Sequence, residues 1–408
     1  MQQAPGRNTP ASGRLTVDPL DPAQPAGAPA DGAQARLRTL HQIARSRHAF
    51  IDRMAIALYD PDVDLLKTFV SSSVSAADEH GELIRYEALL ADVPSLADLA
   101  RTCSTRVVDD LAADLPGSSS VHAAWLHSQR YRASYTLPVY QGDRLAAFLF
   151  FDSHQPGVFT PKVTQFLDLF AELAGQVVLL RLSAARSLIG AVKLACDLAG
   201  RRDSDTGAHL RRIGLFSRLI ARRLAPQLGL SDEYVESIRL FAPLHDIGKI
   251  AIPDRILLKP GRLAPEELAH MRQHVQYGVE MVERMLDDLG LGTDAAAGIM
   301  RNIVAGHHER CDGSGYPLGL KGNAIALEAR IVAVADVYDA LSVVRPYKPA
   351  WEPERYAAEL RAQVKAGILD GDCVEALLAE PAACARIHSR FGDPFADSRP
   401  DAADNNRT

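Results

Sequence analysis

The sequence predicts a multidomain chain: an α+β domain, a long connecting helix, then an all-α helical domain. Three observations carry that reading. Short apolar runs that read as strands cluster between residues 54 and 153. From 200 to about 380 the apolar residues recur at helical spacing, with no period-two run among them. Between these regions, from 160 to about 200, helical spacing continues almost without a breaker.

Taken in order, residues 1–35 are rich in Pro, Ala and Gly and poor in large apolar groups. They bury too little surface to offset the entropy of ordering, so disorder is expected there. The α+β domain occupies 36–183. It opens with a helix over 36–52 and closes with one over 160–183. Its strands are MAIALY (54–59), LLKTFVSS (65–72), RASYTLPVY (132–140) and RLAAFLFFDS (144–153), with Tyr140-Gln141-Gly142-Asp143 as a hairpin turn. Over 160–200, Phe166, Phe170, Leu173, Val177 and Leu180, then Leu188, Val192 and Ala195, repeat at helical spacing. A helix of this length between two domains suits a parallel dimer stalk, so a homodimer is expected. Gly175 and Gly190 weaken it locally by roughly 1 kcal/mol each. The helical domain fills 200–385, and the polar tail 395–408 is expected to be disordered.

The formal charge of −6 over 408 residues gives no bulk attraction for nucleic acid polymers or anionic membranes. An anionic substrate then needs a local cluster of positive charge. Five scattered cysteines without a CxxC spacing read as reduced thiols. The opening MQQAPGRNTP lacks the apolar core of a signal peptide. The stretch VTQFLDLFAELAGQVVLLRL carries Gln165, Asp168, Glu172, Gln176 and Arg181, too polar for a membrane span. A cytoplasmic location is the expectation.

The chemistry concentrates in short contexts between 200 and 345: DTGAH (205–209), HDIGK (245–249), RQH (272–274), HHE (307–309) and VADVYDA (334–340). Neighbouring histidines such as His307 and His308 cannot both enter a packed core from a regular helix. An Asp beside a His in the apolar frame LFAPLHDIGKI is costly unless a cation balances its charge. One such pair occurs readily by chance. Five histidines and two or more acids on buried helical faces are better explained by two divalent metals sharing a bridging carboxylate. The run LRRIGLFSRLIARRL reads as the solvated basic face of a helix, and His270 as a solvated residue.

Two resemblances follow from these residues. The segment YTLPVYQGDRLAAFLFFDSHQPGVFTPKVTQFLDLFAELAGQVVLLRL, a terminal hairpin leading into a closing helix, resembles a GAF domain. That implies a small-molecule sensor, or a dimer scaffold that holds no ligand. The order H…HD-x-GK…H…HH…GYP…D, with LHDIGKIAIPDRILLKPGRL, HHERCDGSGYPLGLKG, ARIVAVADVYDAL and RPYK, resembles the HD-GYP family of HD metal phosphohydrolases. The resemblance implies hydrolysis of cyclic di-GMP to the linear dinucleotide pGpG and GMP with iron or manganese. It implies His209, His245, Asp246, His274, His307, His308 and Asp336 as metal ligands, with Asp246 bridging two ions. Lys249 would hold a phosphate oxygen and act with Asp246 in catalysis. Arg345 and Lys348 would contact the phosphates, and Gly315, Tyr316 and Pro317 would face the substrate. Asp205 stands where the family often has Glu, one methylene shorter, as the candidate ligand of a third ion. Glu309 is expected to orient a ligand or cap the loop. Two alternatives stand beside this reading: an adaptor that binds cyclic dinucleotides without turnover, and a phosphodiesterase for another cyclic dinucleotide such as cyclic GMP-AMP. A signal from the first domain is expected to reach the second along 160–200.

Overall fold

The computed structural model describes residues 32–74, 83, 85–114, 121–176, 190, 207–288, 295–343 and 350–392. The expectations of disorder at the two ends lie outside them, except where a helix begins at Ala33. So does most of the stretch expected to form the connecting helix.

The first domain is α+β. It runs α1 (Ala33–Arg47), β1 (Arg53–Asp60), β2 (Leu65–Ser73), β3 (Glu87–Leu89), α2 (Pro94–Thr102), β4 (Arg106–Val108), α3 (Leu111–Asp114), α4 (Val121–Ser128), β5 (Ala133–Gln141) and β6 (Arg144–Ser153). Helix α5 follows at 161–176. The six strands form one antiparallel sheet in the order β3-β2-β1-β6-β5-β4. Gly142 turns the β5–β6 hairpin at a φ of 58°, a region open to Gly at no steric cost.

Strand alternation gives the sheet two distinct faces. Met54, Ile56, Leu58, Leu149 and Phe151 pack under α1 and α5 with Leu37, Leu167 and Phe170. Ala55, Ala57, Phe148 and Phe150 face the other way, toward Leu96 and Leu99 of α2.

The second domain is helical: α6 (Gly207–Leu228), α7 (Asp232–Phe241), α8 (Asp254–Leu257), α9 (Pro265–Arg272), α10 (His274–Asp288), α11 (Ala295–Gly306), α12 (Leu327–Ser342), α13 (Pro353–Lys365), α14 (Gly371–Leu378) and α15 (Pro381–Arg390). Ile213, Phe216, Ile220 and Leu224 of α6 form the centre of its core with Ile238, Ile331, Val334, Tyr338, Val374 and Leu377. Ser231 caps α7 by accepting from the Tyr234 backbone N–H.

The basic run on α6 departs from the sequence expectation. Arg212 and Arg218 are buried, at 2% and 8% exposure, because each meets an acid from another element. Arg218 belongs to a charged junction between the domains. Lys67 of β2 bonds Glu236 of α7 at 2.6 Å and approaches Asp60 at 3.4 Å. Arg239 of α7 pairs with Asp60 and, at 2.9 Å, with Glu236. Arg218 pairs with Glu87 of β3, and Arg222 reaches the same carboxylate at 3.2 Å. Burial and Arg239 push the Lys67 ammonium down to about 8 despite its two acids. Burial alone would raise Glu236, but Lys67, Arg239 and Arg218 hold it down to about 2.

Candidate metal centre

Five elements deliver the candidate ligands. His209 lies in the first turn of α6, and His245 and Asp246 occupy the turn between 3-10 segments Ala242–Leu244 and Ile247–Ala251. His274 begins α10, His307 and His308 follow α11, and Asp336 sits on α12. One glycine makes the central approach possible. A Cβ on Gly248 would lie 1.9 Å from the His274 carbonyl oxygen and 2.4 Å from the Gly278 nitrogen. The HDIGK turn therefore rests backbone to backbone on α10, and Asp246 is brought to His274.

Two groups of ligand atoms result, each with all atoms within 4.8 Å of one another: Asp246, His274, His307 and His308, and His209, His245 and Asp336. Asp246 faces both. Its Oδ1 lies 3.1 Å from His274 Nε2 and 3.5 Å from His307 Nε2, while Oδ2 lies 3.2 Å from His245 Nε2. Lys249 Nζ bonds the same Oδ2 at 2.9 Å. Burial works to raise Asp246, but Lys249 and His245 hold its carboxyl well below the usual carboxylate range.

The imidazoles are oriented from behind. His245 Nδ1 lies 2.9 Å from the Ala242 carbonyl, His274 Nδ1 2.8 Å from that of Met271, and His307 Nδ1 3.1 Å from that of Ile303. A carbonyl only accepts, so each Nδ1 carries the proton and each Nε2 presents a lone pair to the centre. Nε2 of His274, Nε2 of His307 and Oδ1 of Asp246 are buried without a hydrogen-bond partner of good geometry. Buried lone pairs converging on a carboxylate are what a divalent cation satisfies, so the donor set fits a metal. Burial and neighbouring imidazoles depress His308, and burial depresses His307, which keeps both in the neutral form that coordinates.

Sequence reasoning missed the support of His209. Its Nδ1 meets Asp339 Oδ2 at 2.7 Å, and Arg212 holds that carboxylate through Nε at 2.6 Å and Nη2 at 2.9 Å. Asp339 is one helical turn past Asp336 and Arg212 one turn past His209. That i+3 spacing was the available signal.

The GYP loop folds back onto the centre. The Tyr316 N–H donates to the His308 carbonyl at 3.2 Å, and its ring stacks on His308 with centroids 4.7 Å apart. Burial and Asp246 push the Tyr316 hydroxyl up to about 12. Gly315 has no room for a side chain, since a Cβ would lie 2.3 Å from the Arg310 nitrogen. Glu309 caps the loop by accepting from the Leu318 and Leu320 N–H groups at 2.7 and 2.9 Å. His270 belongs to neither ligand group. Asp205, Arg345 and Lys348 lie outside the described residues.

Residues 33–178 match the GAF domain family, and residues 191–373 match the HD domain family. Over 199 residues the chain is 46% identical to the cyclic di-GMP phosphodiesterase response regulator RpfG of Xanthomonas campestris pv. campestris, covering 49% of each protein. Over 162 residues it is 44% identical to the 3'3'-cGAMP-specific phosphodiesterase 2 of Vibrio cholerae, covering 40% of this chain and 29% of that protein. The matched segment thus spans about half the length of the first relative and less of the second. Among solved structures, a GAF domain/HD domain protein from Geobacter sulfurreducens aligns with 13% identity and a TM-score of 0.29, over 36% of this chain and 91% of that one. Among the described residues no helix is long and apolar enough to cross a membrane.

Proposed function

From a chain that joins a GAF domain to an HD domain, we propose a metal-dependent phosphodiesterase that hydrolyses cyclic di-GMP to pGpG and GMP under control of its GAF domain. The observation that carries this reading is Asp246, whose two oxygens face two separate groups of ligand atoms. His274, His307 and His308 would hold one ion and His209, His245 and Asp336 the other, with Asp246 between them. Iron or manganese suits this mix of imidazole and carboxylate. Two divalent ions, when bound, supply Lewis acidity toward a phosphate oxygen and lower the pKa of a nucleophilic water.

The chain's own residues supply the rest. Hydrolysis adds water across one P–O3′ bond and leaves a 5′-phosphate and a 3′-hydroxyl. Lys249, beside Asp246 and 24% exposed, would neutralise a phosphate oxygen as charge develops. Tyr316 stays protonated near neutral pH and walls the site with Gly315 and Pro317. Arg345 and Lys348 would bring the local positive charge that the acidic chain lacks overall.

A second substrate, 3'3'-cyclic GMP-AMP, is favoured by one observation, the 44% identity to a phosphodiesterase named for it. The metal and phosphate contacts read no base, so a direct comparison decides. Metal-loaded protein is incubated with each dinucleotide and the products are separated by chromatography. Faster turnover of cyclic di-GMP supports the first reading, and faster turnover of cyclic GMP-AMP moves the assignment to the second. Tight binding of both with no product would establish the adaptor instead.

A further inference from the structure

We propose that the end of α15 sets the candidate metal centre: the Phe391 carbonyl fixes Arg212, which fixes Asp339 and, through it, His209. Resting on the two-ion reading above, this makes Phe391 a positioning residue for the ion that His209, His245 and Asp336 would hold.

Three elements meet at this point. α6 supplies His209 and Arg212, α12 supplies Asp339, and Phe391 caps the C-terminal end of α15. All four residues are buried. A buried guanidinium needs an acceptor along each edge of its planar fork. Asp339 answers one edge, accepting from Nε at 2.6 Å and Nη2 at 2.9 Å. Nη1 lies off that edge and donates to the Phe391 carbonyl at 2.9 Å.

A helix end is a natural source of that acceptor. The last four carbonyls of a helix have no donor within it, and they carry the negative end of its dipole. The Phe391 N–H closes the final turn of α15 on the Ile387 carbonyl at 3.0 Å. The Phe391 ring packs into the core with Cys384 and Ile387, and the Arg211 guanidinium stands over it at 5.7 Å. Ring and turn together set where the carbonyl lies.

The consequence falls on one group of ligands. Two parallel bonds fix Arg212 and Asp339 relative to each other, yet leave the pair free to swing as a unit. The third bond ties the pair to α15. If it is lost, Asp339 Oδ2 shifts, and with it the His209 ring that it orients through Nδ1 at 2.7 Å. His274 and His307 do not depend on this chain, because their Nδ1 atoms meet the Met271 and Ile303 carbonyls.

The test titrates the metal-free full chain with Mn(II), reading the free ion by electron paramagnetic resonance. A proline after Phe391 disfavours its present ψ of 46° and drives it to about 120–160°. Gly392→Pro therefore turns the carbonyl away from Arg212 while changing no side chain that the pair touches. Gly392 is exposed, and a Cβ there meets nothing nearer than the His388 carbonyl oxygen at 3.6 Å. Gly392→Pro should weaken one of two ions by about three- to tenfold, less than the 10–100-fold usual for a direct partner of a ligand. The second ion should bind as before, and the metal-free melting temperature should match that of Gly392→Ala. Gly392→Ala should bind both ions as the wild type does. Arg212→Lys has one ammonium for both acceptors and should weaken the same ion. Ile387→Val loosens the packing of α15 but keeps the carbonyl, so it should lower the melting temperature and leave both affinities unchanged. The proposal is overturned if Gly392→Pro binds both ions as Gly392→Ala does, if both ions weaken alike, or if Ile387→Val weakens them as much. A wild type that binds fewer than two ions overturns the two-ion reading itself, and this proposal with it.

Discussion

Four of the candidate ligand histidines, His209, His245, His274 and His307, are fixed by the atom behind the ring, which makes their roles testable one residue at a time. Asp339 holds His209 in the tautomer that turns Nε2 inward, and partners of this kind commonly set metal affinity by about 10–100-fold. Asp339→Asn should lower metal affinity by that amount in a competition titration against a chelator. It should also destabilise the fold by leaving the buried Arg212 charge short of its partner. An unchanged affinity would show that His209 needs no such support. Gly248 makes a second case. Gly248→Ala forces a Cβ against the α10 backbone and should cost at least about 1–3 kcal/mol. Metal binding should fall with it, as read by metal content after dialysis. The candidate ligands were legible from the sequence because His and Asp in short rigid contexts are rare in packed cores. Arg212 was not, because an arginine in an amphipathic run looks like any solvated charge until its partner, Asp339, arrives from α12.

The elements were legible in proportion to their length. The four long strands and the helices at either end of the first domain carry enough period to be seen, and the observed bounds differ from the expected ones by a few residues. β3 and β4 have three residues each, too few for alternation to register. β3 also carries Glu87 into the domain junction, where it meets Arg218 and Arg222 of the basic run expected in solvent. Glu236→Gln should destabilise the chain by about 3–5 kcal/mol, because it leaves Lys67, Arg218 and Arg239 buried with less counter-charge. The pH dependence has a definite sign. The folded Glu236 carboxyl titrates at about 2, below its ordinary value of 4.5, so its stabilisation is complete above that value and is lost as pH falls from 4.5 toward 2. Denaturant melts of wild type and Glu236→Gln should therefore differ most near neutrality and converge in acid. A constant gap across that window would remove Glu236 from the junction's energetics.

At the scale of the whole molecule the domains meet directly, through β2 and β3 against α6 and α7, and α7 ends four residues before His245. Under the proposed function, this contact would give the GAF domain a shorter route to the candidate metal centre than the one expected along 160–200. Removing residues 1–185 should change the catalytic rate, and should also lower stability by exposing the charged junction. Metal should stabilise the assembled chain, by about 2.7 kcal/mol for an ion at a hundred times its Kd, and a chelator should lower the melting temperature accordingly. Asp246 is proposed to join two groups of ligand atoms into one hydrolytic centre. The most direct measurement is product formation from cyclic di-GMP by protein purified without oxygen and loaded with Fe(II) or Mn(II), beside Asp246→Ala. The wild type is expected to release pGpG or GMP, and the variant none above background. Equal product from both, or full metal loading with no product from any cyclic dinucleotide, would contradict it.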